Sequence, residues 1–199
     1  MSKKSILLLT IGIFLGATIA GFTLTRLFPY TFHGTILQAP DTAPDFTLTA
    51  HTGQSASLRD FRGKLVIMFF GYTHCPDVCP ATLGVTAKAM DLLGKKAEDV
   101  QVLFISFDPE RDTPEKLAEY VTYFHPEFTG LTGTPEQIAQ VAALYGVYYA
   151  KQDADSENDY WMDHTASILI IDRTGHLKLI LPFGVNAKDM AADLRMLLK

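Results

Sequence analysis

Residues 65–80 have the sequence Leu-Val-Ile-Met-Phe-Phe-Gly-Tyr-Thr-His-Cys-Pro-Asp-Val-Cys-Pro, in which an apolar run leads directly into the only two cysteines of the chain, Cys75 and Cys79. Six consecutive apolar residues are typical of a strand that is buried on both faces of a sheet. The residues that follow predict a loop that passes into a helix. The sequence therefore predicts that both thiols lie at one edge of a central strand.

The pairing of the two thiols predicts a reactive or metal-binding site, because a single local pair is too confined for a disulfide framework. A spacing of four residues places two side chains on one side of a helical turn, with their Cβ atoms about 5–6 Å apart. A disulfide also fits this separation, so the spacing leaves metal and redox chemistry open. Thiolates favour Cu(I), zinc or iron–sulfur clusters, and two sulfurs are too few for a closed zinc site.

The remaining segments predict an α/β fold of the thioredoxin-like sandwich class. Further buried strands are predicted at residues 102–107, 167–171 and 177–181, and the last two form a hairpin. Helices are predicted after the cysteines, after Asp112-Thr113-Pro114-Glu115 with Asp112 as the N-cap, after Thr134-Pro135-Glu136-Gln137, and after Asn186. Short flanking strands are expected at residues 46–48 and around Leu58. The order of strands and helices is that of the thioredoxin-like fold.

A third metal ligand is predicted among the six histidines. Four of them, in the linker, in turns or at a helix end, are interpreted as solvated surface residues: His33, His51, His125 and His176. His74 adjoins Cys75, but neighbours in an extended chain point to opposite faces. His164 precedes the strand near Ile168, at the end of the sheet that carries the cysteine loop. We therefore predict His164 as the third ligand, together with Cys75 and Cys79.

The first 27 residues are predicted to be a membrane anchor. Residues 5–25 carry no charge, and a helix of about 20 apolar residues crosses a bilayer. Lys3 and Lys4 before this stretch, against Arg26 after it, orient the following residues away from the cytoplasm. A cleaved signal peptide ending near Thr18-Ile19-Ala20 is the alternative. We predict an anchor at residues 1–27, a linker at 28–44 and, at 45–199, a thioredoxin-like domain that carries the candidate metal site.

Composition limits the remaining classes of function. A chain of 199 residues with a net charge of −5 supports one domain with a short extension. Its lysines and arginines are scattered and form no basic stripe, which argues against a nucleic-acid partner.

The acidic stretch at residues 151–160 is predicted to be an exposed loop. Asp108, Arg111 and Asp112 are interpreted as a helix cap with a local ion pair, in preference to a docking patch. Asp163 has two equally supported roles: it orients His164, or it only ends the acidic loop.

Three separated blocks of the sequence resemble the Sco/SenC family. They are residues 71–80 (Gly-Tyr-Thr-His-Cys-Pro-Asp-Val-Cys-Pro), residues 108–114 (Asp-Pro-Glu-Arg-Asp-Thr-Pro) and Asp163-His164-Thr165. Several motifs in one order are more specific than any single motif. The resemblance extends from about Pro44 to the C-terminus and includes the N-terminal anchor.

The resemblance implies a thioredoxin-like copper metallochaperone, not an enzyme, anchored by a single span in the inner membrane with its domain in the periplasm. It implies copper ligation by Cys75, Cys79 and His164, as Cu(I), with Cu(II) left open. The implied client is the CuA site of cytochrome c oxidase subunit II. An upstream copper donor or a thiol reductase would be a further partner.

Other functions for the same thiols stay open. A thiol-disulfide oxidoreductase that keeps the CuA cysteines reduced is compatible with the fold. Two features weigh against it: the CxxxC spacing, where thioredoxins have CxxC, and the absence of proline between Pro135 and Pro182. Peroxiredoxin-like chemistry rests only on fold analogy. A redox or copper sensor would use the same ligands.

Overall fold

The computed structural model describes residues 10–18, 30–38, 41–152 and 160–199. The chain divides into two units, residues 1–32 and residues 33–199. In the first unit, residues 10–18 are helical. Within the described ranges, no helix combines the length and hydropathy needed to cross a bilayer. Much of the predicted anchor and residues 153–159 of the predicted acidic loop lie outside the described residues, and the boundaries of anchor, linker and domain remain predictions.

The second unit is an α/β fold built on one eight-stranded sheet and one two-stranded hairpin. Its strands are β1 (Thr35–Ile36), β2 (Thr47–Ala50), β3 (Ser55–Ser57), β4 (Leu65–Gly71), β5 (Val100–Ser106), β6 (Thr129–Thr132), β7 (Tyr149–Lys151), β8 (Met162–His164), β9 (Ile168–Ile171) and β10 (Leu177–Leu181). Its helices are α1 (Val78–Leu93), α2 (Pro114–Phe124), α3 (Pro135–Leu144) and α4 (Ala187–Leu197).

The large sheet has the strand order β1-β10-β9-β4-β5-β6-β2-β3. Strand β4 lies near its centre, parallel to β5 and antiparallel to β9, and all seven of its residues are buried. The predicted central strand is therefore confirmed. Among the helices, α1 packs against α4, and α2 packs against β6.

The register of the central strands brings three connections to one edge of the sheet. Phe69 of β4 pairs with Ile168 at the start of β9, and Gly71 pairs with Ser106 at the end of β5. The cysteine loop after β4, the connection after β5 and the segment before β9 consequently begin or end side by side. This edge is where the candidate site lies.

Several local predictions are confirmed. Helix α3 begins with a capping box in which Thr134 accepts from the Gln137 amide and Gln137 accepts from Thr134 N–H, and Asn186 caps α4. The β9–β10 hairpin is present. The predicted ion pair of Asp108 and Arg111 is also formed, at 2.6 Å.

Other local predictions are wrong. Thr113, not Asp112, caps α2, because Pro114 occupies the first helical position and Thr113 Oγ1 accepts from the Lys116 amide. The flanking strand expected around Leu58 is present as β3, but it ends at Ser57, and Leu58 itself begins a 3₁₀ turn.

Some strands were not predicted. Strand β6 contains two small polar threonines and a glycine, which weaken its signal, and β7 and β8 lie on either side of the acidic stretch. Strand β1, inside the segment predicted as a linker, pairs with Leu179 and Ile180 of β10.

Gly71, the last residue of β4, is expected to be intolerant of a side chain. A Cβ at this position would lie 2.6 Å from a Phe104 ring carbon and 2.7 Å from Cys79 Sγ. We expect Gly71→Ala to lower the free energy of unfolding by about 1–3 kcal/mol, the usual cost of overpacking a core. Thermal unfolding of the full chain measures it.

The matched control is Gly84→Ala in α1, where a Cβ would meet nothing within 4 Å. Alanine favours the helix interior over glycine by about 0.5–1 kcal/mol, so this variant should be slightly more stable than the wild type. Equal stability of the two variants would contradict the proposed close approach at Gly71.

Candidate metal centre

The two cysteines are held by a short loop and the first turn of α1. Cys79 is the second residue of that helix and is fully buried, whereas Cys75 lies in the preceding loop and is partly exposed. The backbone N–H of Cys79 donates to Cys75 Sγ at 3.4 Å. The sulfur of Cys75 thus accepts one of the amides that a helix N-terminus leaves unpaired, while Pro80 at the third position has no amide to satisfy.

This arrangement shifts the pKa values of the two thiols in opposite directions. A hydrogen bond from the Cys79 side chain lowers the pKa of Cys75 to about 3, with help from His164 and the amides of Cys79 and Asp77. The same side-chain bond, together with burial, raises the pKa of Cys79. The pair therefore shares one proton at neutral pH, with the negative charge on the more accessible sulfur, as expected for a thiolate at a helix N-terminus.

His164 lies close to the thiols, as the sequence predicts, and is the last residue of the unpredicted strand β8. Its Nε2 lies 3.7 Å from Cys79 Sγ, and one donor atom from each of Cys75, Cys79 and His164 lies within 4.8 Å of the others. The Nδ1 of His164 lies 3.0 Å from the carbonyl oxygen of Thr165. Because a carbonyl only accepts, Nδ1 carries a proton, and Nε2 is the ring nitrogen that faces the sulfurs.

Aromatic rings and one backbone contact fix the histidine in place. The imidazole lies 4.9 Å from the Phe107 ring, 6.1 Å from Tyr72 and 6.4 Å from Phe69, between centroids. The Tyr72 hydroxyl accepts from the backbone N–H of Met162, two residues before His164. Tyr72 is buried in this packing, and Met162 is partly buried. Asp163 does not orient His164, since its carboxylate instead accepts from Gln152.

Asp112 anchors the cysteine loop from behind. Its carboxylate is fully buried and accepts from Thr73 N–H at 2.9 Å, Thr73 Oγ1 at 2.6 Å and Ser106 Oγ at 2.6 Å. Thr73 is two residues before Cys75, so this acid ties the loop to the end of β5. Its sequence context signalled a helix cap, and only the structure shows the buried role.

His74, the competing candidate, does not join the thiols. Its Nε2 lies 3.0 Å from Lys116 Nζ, and partial burial with the neighbouring Lys116 charge lowers its pKa. His74, Asp108 and Asp112 form a second group of metal-type side chains, with donor atoms within 4.8 Å of one another. The carboxylate of Asp112 is already engaged by three donors and that of Asp108 by Arg111. These contacts give the group a structural role.

The donor set suits a soft metal ion. Two sulfurs and one imidazole nitrogen can hold Cu(I), and the nitrogen adds the kind of donor that Cu(II) also accepts. With three protein ligands, one coordination position stays available to an incoming group. The partly exposed Cys75 gives that group access from solvent.

Comparison with known proteins finds the same architecture. The SCO1/SenC family model matches residues 34–199. The human mitochondrial SCO1 homolog is 44% identical over 153 residues, which is 75% of this chain and 50% of the human protein. An SCO2-like protein of Rickettsia conorii is 36% identical and covers 76% of this chain and 74% of its own length. The chain thus spans about half the length of the mitochondrial relatives it matches.

A solved structure with similar backbone is ScoI of Bradyrhizobium japonicum with copper bound. It has a TM-score of 0.73 and 40% identity and covers 78% of this chain and 99% of its own.

Proposed function

Because this chain belongs to the SCO1/SenC family, we propose that it is a copper metallochaperone that binds copper through Cys75, Cys79 and His164. The proposed client is the CuA centre in subunit II of cytochrome c oxidase. The copper-bound relative at 40% identity supports copper as the cargo. The observation on which this proposal rests is the distance of 3.7 Å between His164 Nε2 and Cys79 Sγ, which are 85 residues apart in the sequence.

The site is built for exchange of its cargo. The two thiolates supply the soft ligands that Cu(I) prefers, and His164 supplies an imidazole for Cu(II). An incoming client thiolate would approach beside Cys75, the exposed member, and replace one donor at a time. No electron moves in this transfer, since copper leaves in the oxidation state in which it was held. A site with three protein ligands releases an ion through such steps more readily than a closed four-ligand cage.

The proposed location follows from the N-terminal segment. Residues 1–27 would anchor the chain in the inner membrane and residues 28–44 would link it to the domain outside the cytoplasm. In that oxidising space an idle thiol pair is converted to a disulfide, so a thiol reductase and an upstream copper donor are proposed as further partners.

His164→Ala tests the ligand role of the histidine. We expect the Cu(II) affinity of the reduced full-length protein to fall about 100-fold, since even loss of an outer partner of a metal ligand costs about 10–100-fold. The Cu(I) affinity should fall less than about tenfold, because both soft ligands remain. Competition titrations with chelators of known affinity measure both.

The matched control is His74→Ala, which removes an imidazole that adjoins Cys75 in sequence but contacts Lys116. Its Cu(II) affinity should equal that of the wild type. Unchanged Cu(II) binding in His164→Ala would overturn the proposed ligand set, and a loss in His74→Ala would move the third ligand to that residue.

A second candidate function is reduction of the disulfide of the client's CuA cysteines. It is favoured by the asymmetry of the pair: an accessible Cys75 whose pKa is lowered to about 3 beside a buried, protonated Cys79. Cys75 would attack the target disulfide, and Cys79, on losing its proton, would resolve the mixed disulfide. The target gains two electrons and two protons, and an upstream dithiol reductase would restore Cys75 and Cys79. Steady turnover of a model protein disulfide, lost in Cys75→Ser, would support this function.

Oxidase activity in a strain that lacks the protein separates the two functions. Recovery on addition of copper alone would support delivery. Recovery with a small-molecule reductant at unchanged copper would support disulfide reduction.

A further inference from the structure

The connection between β5 and α2, residues 107–113, faces both halves of the candidate metal centre. Asp112 holds the cysteine loop through Thr73. Asp108, four residues earlier, is also almost fully buried. Its carboxylate instead receives Arg111 Nε at 2.6 Å and the hydroxyl of Tyr160 at 2.5 Å. This second contact leads to the hairpin that carries His164.

Tyr160 packs against this connection and contacts Asp108, Glu110 and Arg111. It is only 5% exposed. The guanidinium carbon of Arg111 lies 3.5 Å from the centre of its ring, and Arg111 Nη1 donates to its carbonyl oxygen at 3.0 Å. Its hydroxyl also lies 3.3 Å from Glu110 Oε2. We call Asp108, Arg111 and Tyr160 the Tyr160 latch.

The latch holds the hairpin at the end of the ladder where β7 ends and β8 begins. Tyr160 lies two residues before β8, and Lys151, the last residue of β7, places its ammonium 3.6 Å from the centre of the Tyr160 ring and 3.4 Å from Glu110. Lys151 pairs with Met162, and Tyr149 pairs with His164 at the other end of the same ladder. Because the strands are paired residue by residue, fixing Tyr160 and Lys151 fixes where His164 can lie.

Stability alone does not account for this cluster. Burying a carboxylate beside a guanidinium gains little over well-packed apolar residues, because both charges must be stripped of water. The cluster instead fixes the orientation of Tyr160, because its hydrogen bonds and the stacked guanidinium can form in only one orientation of the side chain. A metal site needs such support when its third ligand lies on a small separate hairpin.

We propose that Asp108, Arg111 and Tyr160 are positioning residues that hold the His164 hairpin at the distance at which its Nε2 completes the site with Cys75 and Cys79. The proposal rests on the copper-binding function proposed above. The Asp108–Asp112 segment then supports both halves of the site: Asp112 supports the thiols and Asp108 supports the imidazole.

Tyr160→Phe in the reduced full-length protein tests the latch. The change removes the hydroxyl and keeps the ring. We expect Cu(II) affinity to fall about tenfold, within the range found for outer partners of metal ligands, and Cu(I) affinity to change less than about threefold. The thiolate-to-Cu(II) absorption band and the Cu(II) electron paramagnetic resonance spectrum should shift toward those of His164→Ala. Asp108→Asn, which weakens the same bond from the other side, should act in the same direction.

The combination with His164→Ala separates positioning from general destabilisation. In the His164→Ala background, Tyr160→Phe should cause no further loss of Cu(II) affinity, since residues that act through one ligand are not additive. Tyr148→Phe, which removes an exposed hydroxyl next to β7, is the matched control and should bind like the wild type.

The outcomes distinguish this inference from the proposed function. If His164→Ala loses Cu(II) binding while Tyr160→Phe and Asp108→Asn keep wild-type affinity and spectra, the latch is overturned and the copper site stands. An equal further loss in the double variant also overturns the latch. If His164→Ala itself binds Cu(II) like the wild type, the proposed ligand set fails and the latch fails with it.

Discussion

Cys79→Ser is expected to lower the Cu(I) affinity of the reduced protein about 100- to 1000-fold. Structural zinc sites with four ligands bind with about 10–16 kcal/mol, so an even share is about 2.5–4 kcal/mol for each ligand. A serine hydroxyl is a hard donor that Cu(I) does not favour, so nothing replaces the lost sulfur. A titration against a chromophoric Cu(I) chelator measures the loss.

Cys75→Ser separates the metal effect from the folding effect. Its Cu(I) affinity should fall by a similar factor. Cys75 is partly exposed, and a serine oxygen there can accept the Cys79 N–H that its sulfur now accepts, so stability should hardly change. Cys79 is fully buried, and a hydroxyl at that position should cost about 1–3 kcal/mol of unfolding free energy. Tight Cu(I) binding by either variant would contradict the role proposed for that sulfur.

The part of the site that the sequence predicts follows from the buried run at residues 65–70. Once that run is a central strand, the thiols must lie at its end, and β9, which pairs with it, must begin at the same edge. His164 stands just before β9, so its approach to the thiols could be inferred without coordinates. What could not be inferred is the hairpin that carries it. Strands β7 and β8 are short, and the acidic stretch between them gave only the pattern of a loop.

Buried polar contacts were the other feature that sequence patterns could not assign. Asp112 and Thr113 are both good N-cap residues, and Pro114 fits the first helical position after Thr113. Because Thr113 is the cap, the Asp112 carboxylate does not cap the helix. No local sequence pattern indicates that it instead points inward and binds Thr73, which is 39 residues away. Tyr160 is a similar case, since its acidic neighbours suggest exposure while its contacts come from Asp108 and Arg111. Such contacts depend on the tertiary arrangement and leave no periodic signal.

Asp112→Ala should consequently be among the most damaging single changes outside the proposed ligands. The carboxylate is fully buried and accepts three hydrogen bonds. Its removal leaves the Thr73 amide, the Thr73 hydroxyl and the Ser106 hydroxyl without their acceptor. Unpaired buried donors cost about 1–3 kcal/mol each. Allowing for partial relaxation, we expect a loss of about 3–5 kcal/mol, comparable to breaking a buried charged network.

At about 2–4 °C for each kcal/mol in a chain of this size, the melting temperature of Asp112→Ala should fall by about 6–20 °C. Asp112→Asn, which keeps one acceptor oxygen, should lie between this variant and the wild type. Asp77→Ala is the matched control, because Asp77 is an exposed acid of the cysteine loop whose side chain makes no cap hydrogen bond. Its effect should stay within about 0.5 kcal/mol, as for other surface changes. If Asp112→Ala and Asp77→Ala have the same melting temperature, the Asp112 carboxylate does not anchor the loop. The position of the thiols is then set by α1 and β4 alone.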